Sequence, residues 1–290
     1  MHIRDAMEAA QRPFLSFEFF PPADEEALKD FYTTVERLLP LNPLFASVTY
    51  GAGGSKQDRT LAIARHLASE GLNVMSHLTC VNAVPAGLLL YLERLHEAGV
   101  DNVLALRGDP PKGITWTWDG PFRHAVDLVR YIRRQMPEMG VGVAGYPCPH
   151  PESMSYEEDR RFTKEKLDAG ADFVVTQLFF DAREYFELVN WLEEHGCHKK
   201  VIPGILPIQS FASVRRVLSM CGASIPAKLY LELEEADRLG GEAEVRRVGV
   251  EFAVEQITRL LVGGAPGIHL YTLNKADLCL DIARAAGLGH

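Results

Sequence analysis

Residues 15–22 read Leu15-Ser16-Phe17-Glu18-Phe19-Phe20-Pro21-Pro22, an apolar run that two prolines bring to an end. Such a run predicts a buried β-strand, because proline cannot donate to a sheet ladder and marks the edge of the strand. Glu18 is the one charged residue in it. An unpaired charge in a packed core is costly, so this carboxylate is expected to be paired, neutral or functional.

Similar apolar runs recur along the chain. They lie near residues 15–20, 44–49, 73–79, 102–107, 141–146, 172–178, 201–206 and 267–272. The runs are nearly continuous in apolar character, which is typical of parallel strands that are buried on both faces.

Helical patterns fill the intervals between these runs, and many of them end just before a glycine. Eight strands that alternate with helices predict an α/β fold, a (β/α)₈ TIM barrel, as one catalytic domain over residues 1–290. The interval 207–266 is longer than the others and predicts extra helices between strands seven and eight. The alternative is a doubly wound sheet, but that fold usually has a glycine-rich turn after its first strand, where this chain has Phe20-Pro21-Pro22.

Composition limits the function classes. The chain has 290 residues, 47% of them hydrophobic, and a net charge of −9, which argues against nucleic acid or a membrane surface as a partner. Five scattered cysteines without a Cys-x-x-Cys pair predict reduced thiols in a cytoplasmic protein and no metal site. No apolar run reaches the length of a membrane-spanning helix, and the N-terminus lacks the apolar segment of a signal peptide.

Polar residues stand where the predicted strands end, which in such barrels is the edge that carries the chemistry. They include Glu18, Thr49, His77, Arg107, Gly108, Asp109, Tyr146, His150, Gln177 and Tyr271. Each residue alone also has a structural interpretation: a core histidine, a β-forming threonine, or an ion pair between Arg107 and Asp109. Asp159 and Lys166 share one helix face, which is most often a solvated face. Without further information these residues indicate a barrel enzyme that acts on a small molecule.

The same residues resemble the methylenetetrahydrofolate reductase family in its compact bacterial form. The similarity extends from about residue 14 to 285. It is carried by the motifs Phe17-Glu18-Phe19-Phe20-Pro21-Pro22, Ser47-Val48-Thr49-Tyr50-Gly51-Ala52, His77-Leu78-Thr79-Cys80, Leu106-Arg107-Gly108-Asp109-Pro110, Tyr146-Pro147, His150-Pro151-Glu152, Thr176-Gln177, Pro203-Gly204-Ile205-Leu206-Pro207 and Tyr271-Thr272-Leu273-Asn274.

The resemblance implies a barrel that holds FAD tightly but without a covalent bond. NADH or NADPH would reduce the flavin. The substrate 5,10-methylenetetrahydrofolate would then bind and be reduced, in ping-pong order, to 5-methyltetrahydrofolate, which supplies the methyl group for methionine synthesis. The resemblance also implies a homo-oligomer.

By the same resemblance Glu18 is the catalytic acid and Asp109 the second catalytic residue. Implied cofactor contacts are Thr49, His77, Arg107, Gly108, Asp109, His124, Tyr146, His150, Asp159, Lys166 and Gln177. Implied substrate contacts are Glu18, Asp109, Gln177, Val217, Tyr271 and Lys275. A Glu within an apolar strand is expected to have a raised pKa and to carry a proton near neutral pH, and Asp109 is expected to stabilise a transient iminium cation.

Three of these positions depart from the family pattern, namely Val217 where some relatives have Phe, His124 where Tyr is common, and Lys275 where Arg is usual. The Trp116–Trp118 loop has no clear counterpart. Two other functions remain open: a pterin methyltransferase without flavin, and a non-catalytic barrel that binds a partner through residues 207–266.

Overall fold

The computed structural model describes residues 1–22, 24–50, 57–109 and 120–289. Its parallel strands are β1 (Phe14–Phe19), β2 (Phe45–Val48), β3 (Val74–Thr79), β4 (Asn102–Leu106), β5 (Gly140–Gly145), β6 (Phe173–Thr176), β7 (Val201–Ile202), β8 (Gly204–Ile205) and β9 (Gly267–Tyr271). Their order in the sheet is β7-β6-β5-β4-β3-β2-β1-β9-β8.

The barrel closes at Pro203, which divides the predicted strand 201–206 into β7 and β8. β7 pairs with β6, whereas β8 pairs with β9, so the two short strands together occupy the seventh strand position of an eight-stranded barrel. Proline has no N–H to donate, but its carbonyl still accepts from His269 N at 3.0 Å. The predicted TIM barrel is therefore confirmed.

Helices surround the barrel. They are α1 (Ile3–Ala9), α2 (Glu26–Leu38), α3 (Gln57–Ser69), α4 (Pro85–Glu97), α5 (Ala125–Gln135), α6 (Tyr156–Asp168), α7 (Ala182–Glu194), α8 (Phe211–Cys221), α9 (Ala227–Val262) and α10 (Ala276–Ala285). α8 and α9 are the extra helices predicted between the seventh and eighth strands of the barrel. α9 has a break at Gly241, where φ is 60° and ψ is −150°, so it consists of two helical segments that meet at this residue. In the part of the chain that the structure describes, no helix is both long and apolar enough to cross a membrane.

The first strand shows how the barrel divides its side chains. Leu15, Phe17 and Phe19 point outward and join the core between strands and helices. The alternate residues Phe14, Ser16 and Glu18 point inward, because successive side chains of a strand leave on opposite faces. The inward set changes from apolar to charged along the strand, so the carboxyl end of the barrel is the polar end.

Helix α1 closes the opposite, amino end of the barrel, and the sequence patterns did not predict it. Its Ile3 and Met7 pack against inward side chains that include Phe14, Phe45 and Phe173. The side chain of Asn102 anchors the segment, since its Oδ1 accepts from Ile3 N and its Nδ2 donates to Met1 O, both at 2.9 Å. A helix of seven residues with only two large apolar side chains is too short to be stable alone, so it depends on the barrel for its stability.

We expect Ile3→Ala to lower the free energy of unfolding by about 3 kcal/mol, because it opens a cavity beneath the barrel floor. Urea denaturation of the purified variant measures this change. Leu231→Ala is the control, since Leu231 lies on α9 with 61% of its side chain exposed and should change stability little. Equal stability of the two variants would show that α1 does not close the barrel.

Candidate active site

Glu18 lies at the centre of the polar end, buried between two histidines. Its Oε2 atom is 3.3 Å from His77 Nε2 and 3.8 Å from His269 Nε2. The register of β1 with β9 explains the position of His269, because it places Ser16 beside His269 and Glu18 beside Tyr271. The other ring nitrogen of His269, Nδ1, lies 2.9 Å from Ser16 Oγ, which fixes the orientation of the imidazole.

The protonation of Glu18 differs from the sequence expectation. Burial by itself would raise the pKa of Glu18, but His269 and His77 outweigh it and lower the pKa to about 2. The predicted raised pKa is therefore wrong, because the strand was judged by its own apolar residues and not by the imidazoles that face it across the barrel. His269 shows the opposite balance: burial lowers its pKa, while Glu18 raises it.

Several buried polar atoms around Glu18 have no hydrogen-bond partner among the described residues. They are His77 Nε2, His269 Nε2 and Ser47 Oγ. The two nitrogens are close to the carboxylate but not aligned with it as hydrogen-bond donors. Buried polar atoms are rarely left in this state, so the cluster has the character of a binding site and not of a completed structural network.

The loop after β4 forms the next part of the rim. Arg107 makes a two-point ion pair with Glu152, in which its Nη2 donates to Glu152 Oε1 at 2.9 Å and its Nη1 donates to Oε2. Gly108 has a φ of 78°, and a Cβ atom there would lie 2.8 Å from Thr79 Cβ, so only glycine fits without displacement. Asp109 is exposed on this turn. Arg107 thus pairs with a residue of the loop that follows β5.

Between β5 and the buried face of α6 lies a second group of predicted residues. Tyr146 and His150 pack edge to face with ring centres 5.3 Å apart, and His150 N donates to the buried carboxylate of Asp159. Lys166 is also buried and donates from Nζ to Ala144 O at 2.5 Å; burial lowers its pKa to about 8. Asp159 and Lys166 therefore lie on an inward helix face and not on a solvated one.

The opposite wall of the barrel mouth is formed by residues at the ends of β6, β8 and β9 and by α8. Gln177 N donates to Gly145 O at 2.8 Å, and its side-chain Oε1 accepts from Leu178 N at 2.9 Å. The hydroxyl of Tyr271 donates to Thr176 O at 2.5 Å. Gly204 makes this bond possible, because a Cβ atom there would lie 2.5 Å from the Tyr271 hydroxyl oxygen. Val217 packs in the apolar cluster beneath α8.

Three predicted residues lie farther out on the rim. Thr49 follows β2 and donates from its N to Phe19 O at 3.0 Å. His124 is the exposed N-cap residue of α5, and Lys275 is the exposed N-cap residue of α10. The Trp116–Trp118 loop lies outside the described residues.

The sequence reasoning missed His269 and Ser16 as functional residues. The signal was present, because His269 is a polar residue inside the apolar run 267–272, just as Glu18 is in its own run. Together Glu18, His77 and His269 bring a carboxylate and two imidazoles into one buried site, and these are the groups that general acid–base catalysis most often uses.

Comparisons with known proteins show what the whole chain is similar to. Residues 2–287 match the model of the family described as methylenetetrahydrofolate reductase. The chain is 37% identical to methylenetetrahydrofolate reductase (NADH) 1 of Arabidopsis thaliana over 99% of its own length and 50% of the relative's. It is 35% identical to the 5,10-methylenetetrahydrofolate reductase of Escherichia coli (strain K12) over 94% of its own length and 90% of the relative's.

The chain thus spans about half the length of the plant relatives that it matches. Among solved structures, an uncharacterized Clostridium thermocellum protein that binds two copies of 5-methyl-5,6,7,8-tetrahydrofolic acid superposes with a TM-score of 0.67 and 13% identity, over 98% of both chains. At this identity the likeness supports the fold only.

We expect Glu18→Gln to lower the pKa of His269 further, because the carboxylate is what raises it against the effect of burial. A titration of the imidazole nitrogens by NMR in wild type and variant measures the change. The exposed residue His195, which stacks on Trp191 far along the chain from Glu18, is an internal reference whose ring signals should be the same in both proteins. An unchanged pKa of His269 would mean that the two side chains are not coupled.

Proposed function

The chain belongs to the methylenetetrahydrofolate reductase family, and from this premise we propose that it reduces 5,10-methylenetetrahydrofolate to 5-methyltetrahydrofolate with NADH or NADPH. The observation that carries the proposal is the buried Glu18 between His77 and His269 at the polar end of the barrel. A proton-holding cluster in such a place suits a substrate that must be protonated before it is reduced.

We further propose that FAD is the bound cofactor, held without a covalent bond. The residues around the rim fit such a group: the orphaned His77 Nε2, the Arg107-Gly108-Asp109 turn, and the buried Asp159 and Lys166. Thr49, His124, Tyr146, His150 and Gln177 complete the proposed contacts. When bound, the flavin supplies hydride transfer from the nicotinamide to the folate, in ping-pong order.

Glu18 is assigned the role of proton donor to the substrate. The methylene bridge must open to an iminium cation before hydride can reach it, and this opening requires a proton. Glu18 starts as a carboxylate because the imidazoles lower its pKa. A bound pterin excludes water, and loss of hydration raises the pKa of a buried carboxyl. Glu18 would therefore take up a proton as the substrate binds and could then donate it.

Asp109 and Gln177 have complementary roles in this proposal. The exposed carboxylate of Asp109 stabilises the iminium cation, a charge that develops only along the reaction path. Gln177 has its Oε1 engaged by Leu178 N, so its amide NH₂ group would be the part that donates to acceptor atoms of the pterin. Val217, Tyr271 and Lys275 make the remaining substrate contacts.

The product's methyl group would serve methionine synthesis, and we place the enzyme in the cytoplasm as a homo-oligomer. These assignments rest on the family and on the reduced state of its cysteines, which are unpaired among the described residues.

The deciding experiment is the absorption spectrum of the purified protein. We expect a yellow protein that releases FAD on acid precipitation, loses its colour under anaerobic NADH or NADPH, and regains it with 5,10-methylenetetrahydrofolate. A colourless protein that still binds folate would support a flavin-free methyltransferase, and one that binds neither would support a non-catalytic barrel.

We expect Glu18→Gln to slow the folate half-reaction by roughly 10²- to 10⁴-fold and to leave flavin reduction by the nicotinamide nearly unchanged, since only the folate requires a proton donor. Stopped-flow spectroscopy of each half-reaction measures the two rates. Glu235→Gln on α9 is the matched control, because Glu235 is an exposed carboxylate paired with Arg238 and should affect neither rate. Wild-type reoxidation by folate in the Glu18 variant would remove this residue from the mechanism.

A further inference from the structure

A network of three side chains joins three segments on one side of the barrel mouth. Glu184, in the first turn of α7, accepts from the thiol of Cys148 at 2.8 Å through Oε2 and from the hydroxyl of Ser224 at 2.7 Å through Oε1. The sulfur and the hydroxyl oxygen lie 3.5 Å apart. Cys148 belongs to the loop after β5, and Ser224 belongs to the linker between α8 and α9. We call these three residues the α8 anchor.

The thiol of Cys148 suits this network because it keeps its proton. Cys148 is buried, and burial together with the bond to Glu184 raises its pKa to about 11. At neutral pH the thiol therefore acts as a hydrogen-bond donor and is not a reactive thiolate. A carboxylate accepts at both of its oxygens, so Glu184 can hold two donors from segments that are distant in the sequence.

Close packing beside the α8 anchor brings the linker against the same loop. α8 ends before Gly222, the first residue of the linker. A Cβ atom at this position would lie 2.8 Å from Pro151 Cγ, so the backbone of the linker passes directly over the loop after β5. The C-terminal end of α8 is thus held by this contact and by the α8 anchor.

The position of α8 matters because of what lies on each side of the anchor. Val217 of α8 and Tyr271 of β9 pack on the same apolar cluster, and both are proposed substrate contacts. The loop after β5 carries Tyr146 and His150, which are proposed cofactor contacts. This loop has an attachment of its own to α6, since His150 N donates to the carboxylate of Asp159. The anchor therefore connects α8 to a loop that is already fixed.

We propose that Glu184 is a positioning residue of the folate site: through Cys148 and Ser224 it fixes α8 against the loop after β5, and thereby sets the space between α8 and the cofactor. The inference rests on the proposed function and adds residues outside the barrel mouth that determine how the substrate binds. A wall that packs against the substrate contributes equally before and during the reaction. Loss of its position should therefore raise KM and leave kcat nearly unchanged.

Two substitutions of Glu184 separate positioning from the loss of a charge. Glu184→Ala removes both acceptors, and we expect it to raise the KM for 5,10-methylenetetrahydrofolate by about threefold to tenfold, the effect of losing one or two hydrogen bonds. Glu184→Gln removes the charge but keeps the network, because the amide oxygen still accepts from Cys148 and the amide NH₂ group donates to the hydroxyl of Ser224. It should give a KM close to that of the wild type.

Glu187→Ala is the matched control. Glu187 lies three residues further along α7 and pairs with Arg160 of α6 at 3.0 Å, outside the α8 anchor. The substitution removes the same charge from the same helix and should leave KM unchanged. Ser224→Ala, at an exposed position, should raise KM, and adding it to Glu184→Ala should cause no further loss, because the two residues act through one network.

The reactivity of Cys221 gives a measurement that does not require folate reduction. Cys221 is the last residue of α8 and is half-buried, whereas the other four cysteines are buried. Labelling with N-ethylmaleimide, followed by peptide mapping, should show faster modification of Cys221 in Glu184→Ala than in wild type, Glu184→Gln or Glu187→Ala. Circular dichroism of the same samples shows whether each variant is folded.

The proposal is overturned if Glu184→Ala keeps the wild-type KM, or if Glu184→Gln or Glu187→Ala changes KM as much as Glu184→Ala does. If the protein reduces folate and Glu184→Ala leaves KM unchanged, the positioning role is wrong and the proposed function stands. If the protein does not reduce folate, the proposed function is wrong, and the labelling of Cys221 alone decides whether Glu184 anchors α8.

Discussion

The burial of one carboxylate inside a parallel barrel is the constraint on which the site depends. A charged group taken out of water is strongly disfavoured unless partners compensate for the lost hydration. Glu18 has two such partners, and they come from different strands, His77 from β3 and His269 from β9. The charge is therefore tolerated only while β1 keeps its register with β9 and, through β2, with β3, and while the barrel stays closed. A shift of one residue would turn Glu18 into the apolar layer beneath the helices, so the same interaction that makes the site also selects the register.

The two ends of the barrel differ in the side chains that point into it. At the amino end, α1 fills the opening with Ile3 and Met7, and the inward side chains there are apolar. At the carboxyl end, the inward positions hold Glu18, His77 and His269, and the Nε2 atom of each histidine has no hydrogen-bond partner among the described residues. Unsatisfied buried groups destabilise a fold. The apolar floor compensates for them, which separates the part of the molecule that supplies stability from the part that supplies chemistry.

Much of this arrangement could be predicted from the chain, and the rest shows what local patterns omit. The strands and most helices follow from apolar runs and glycine stops, because these signals lie within one segment. The division of the predicted seventh strand at Pro203 and the docking of α1 depend on contacts between distant segments. The prediction for the pKa of Glu18 was wrong for the same reason. Its own strand predicts desolvation, which raises the pKa, whereas the histidines that lower it lie 59 and 251 positions further along the chain. His269 could have been found by applying to the last strand the argument that was applied to the first.

The rim shows how an acidic protein can be suited to anionic ligands. With a net charge of −9, the chain has no general attraction for anions. Its rim cation Arg107 instead stands beside a carboxylate of the protein itself, Glu152. This pair holds the guanidinium in place, which would reduce the entropy lost when a ligand binds there. An anion bound at Arg107 would exchange with the exposed carboxylate of Glu152, which would return to water and recover its hydration. Exchange of this kind favours a ligand that makes further contacts on the rim, since an anion that meets Arg107 alone would gain too little to displace Glu152.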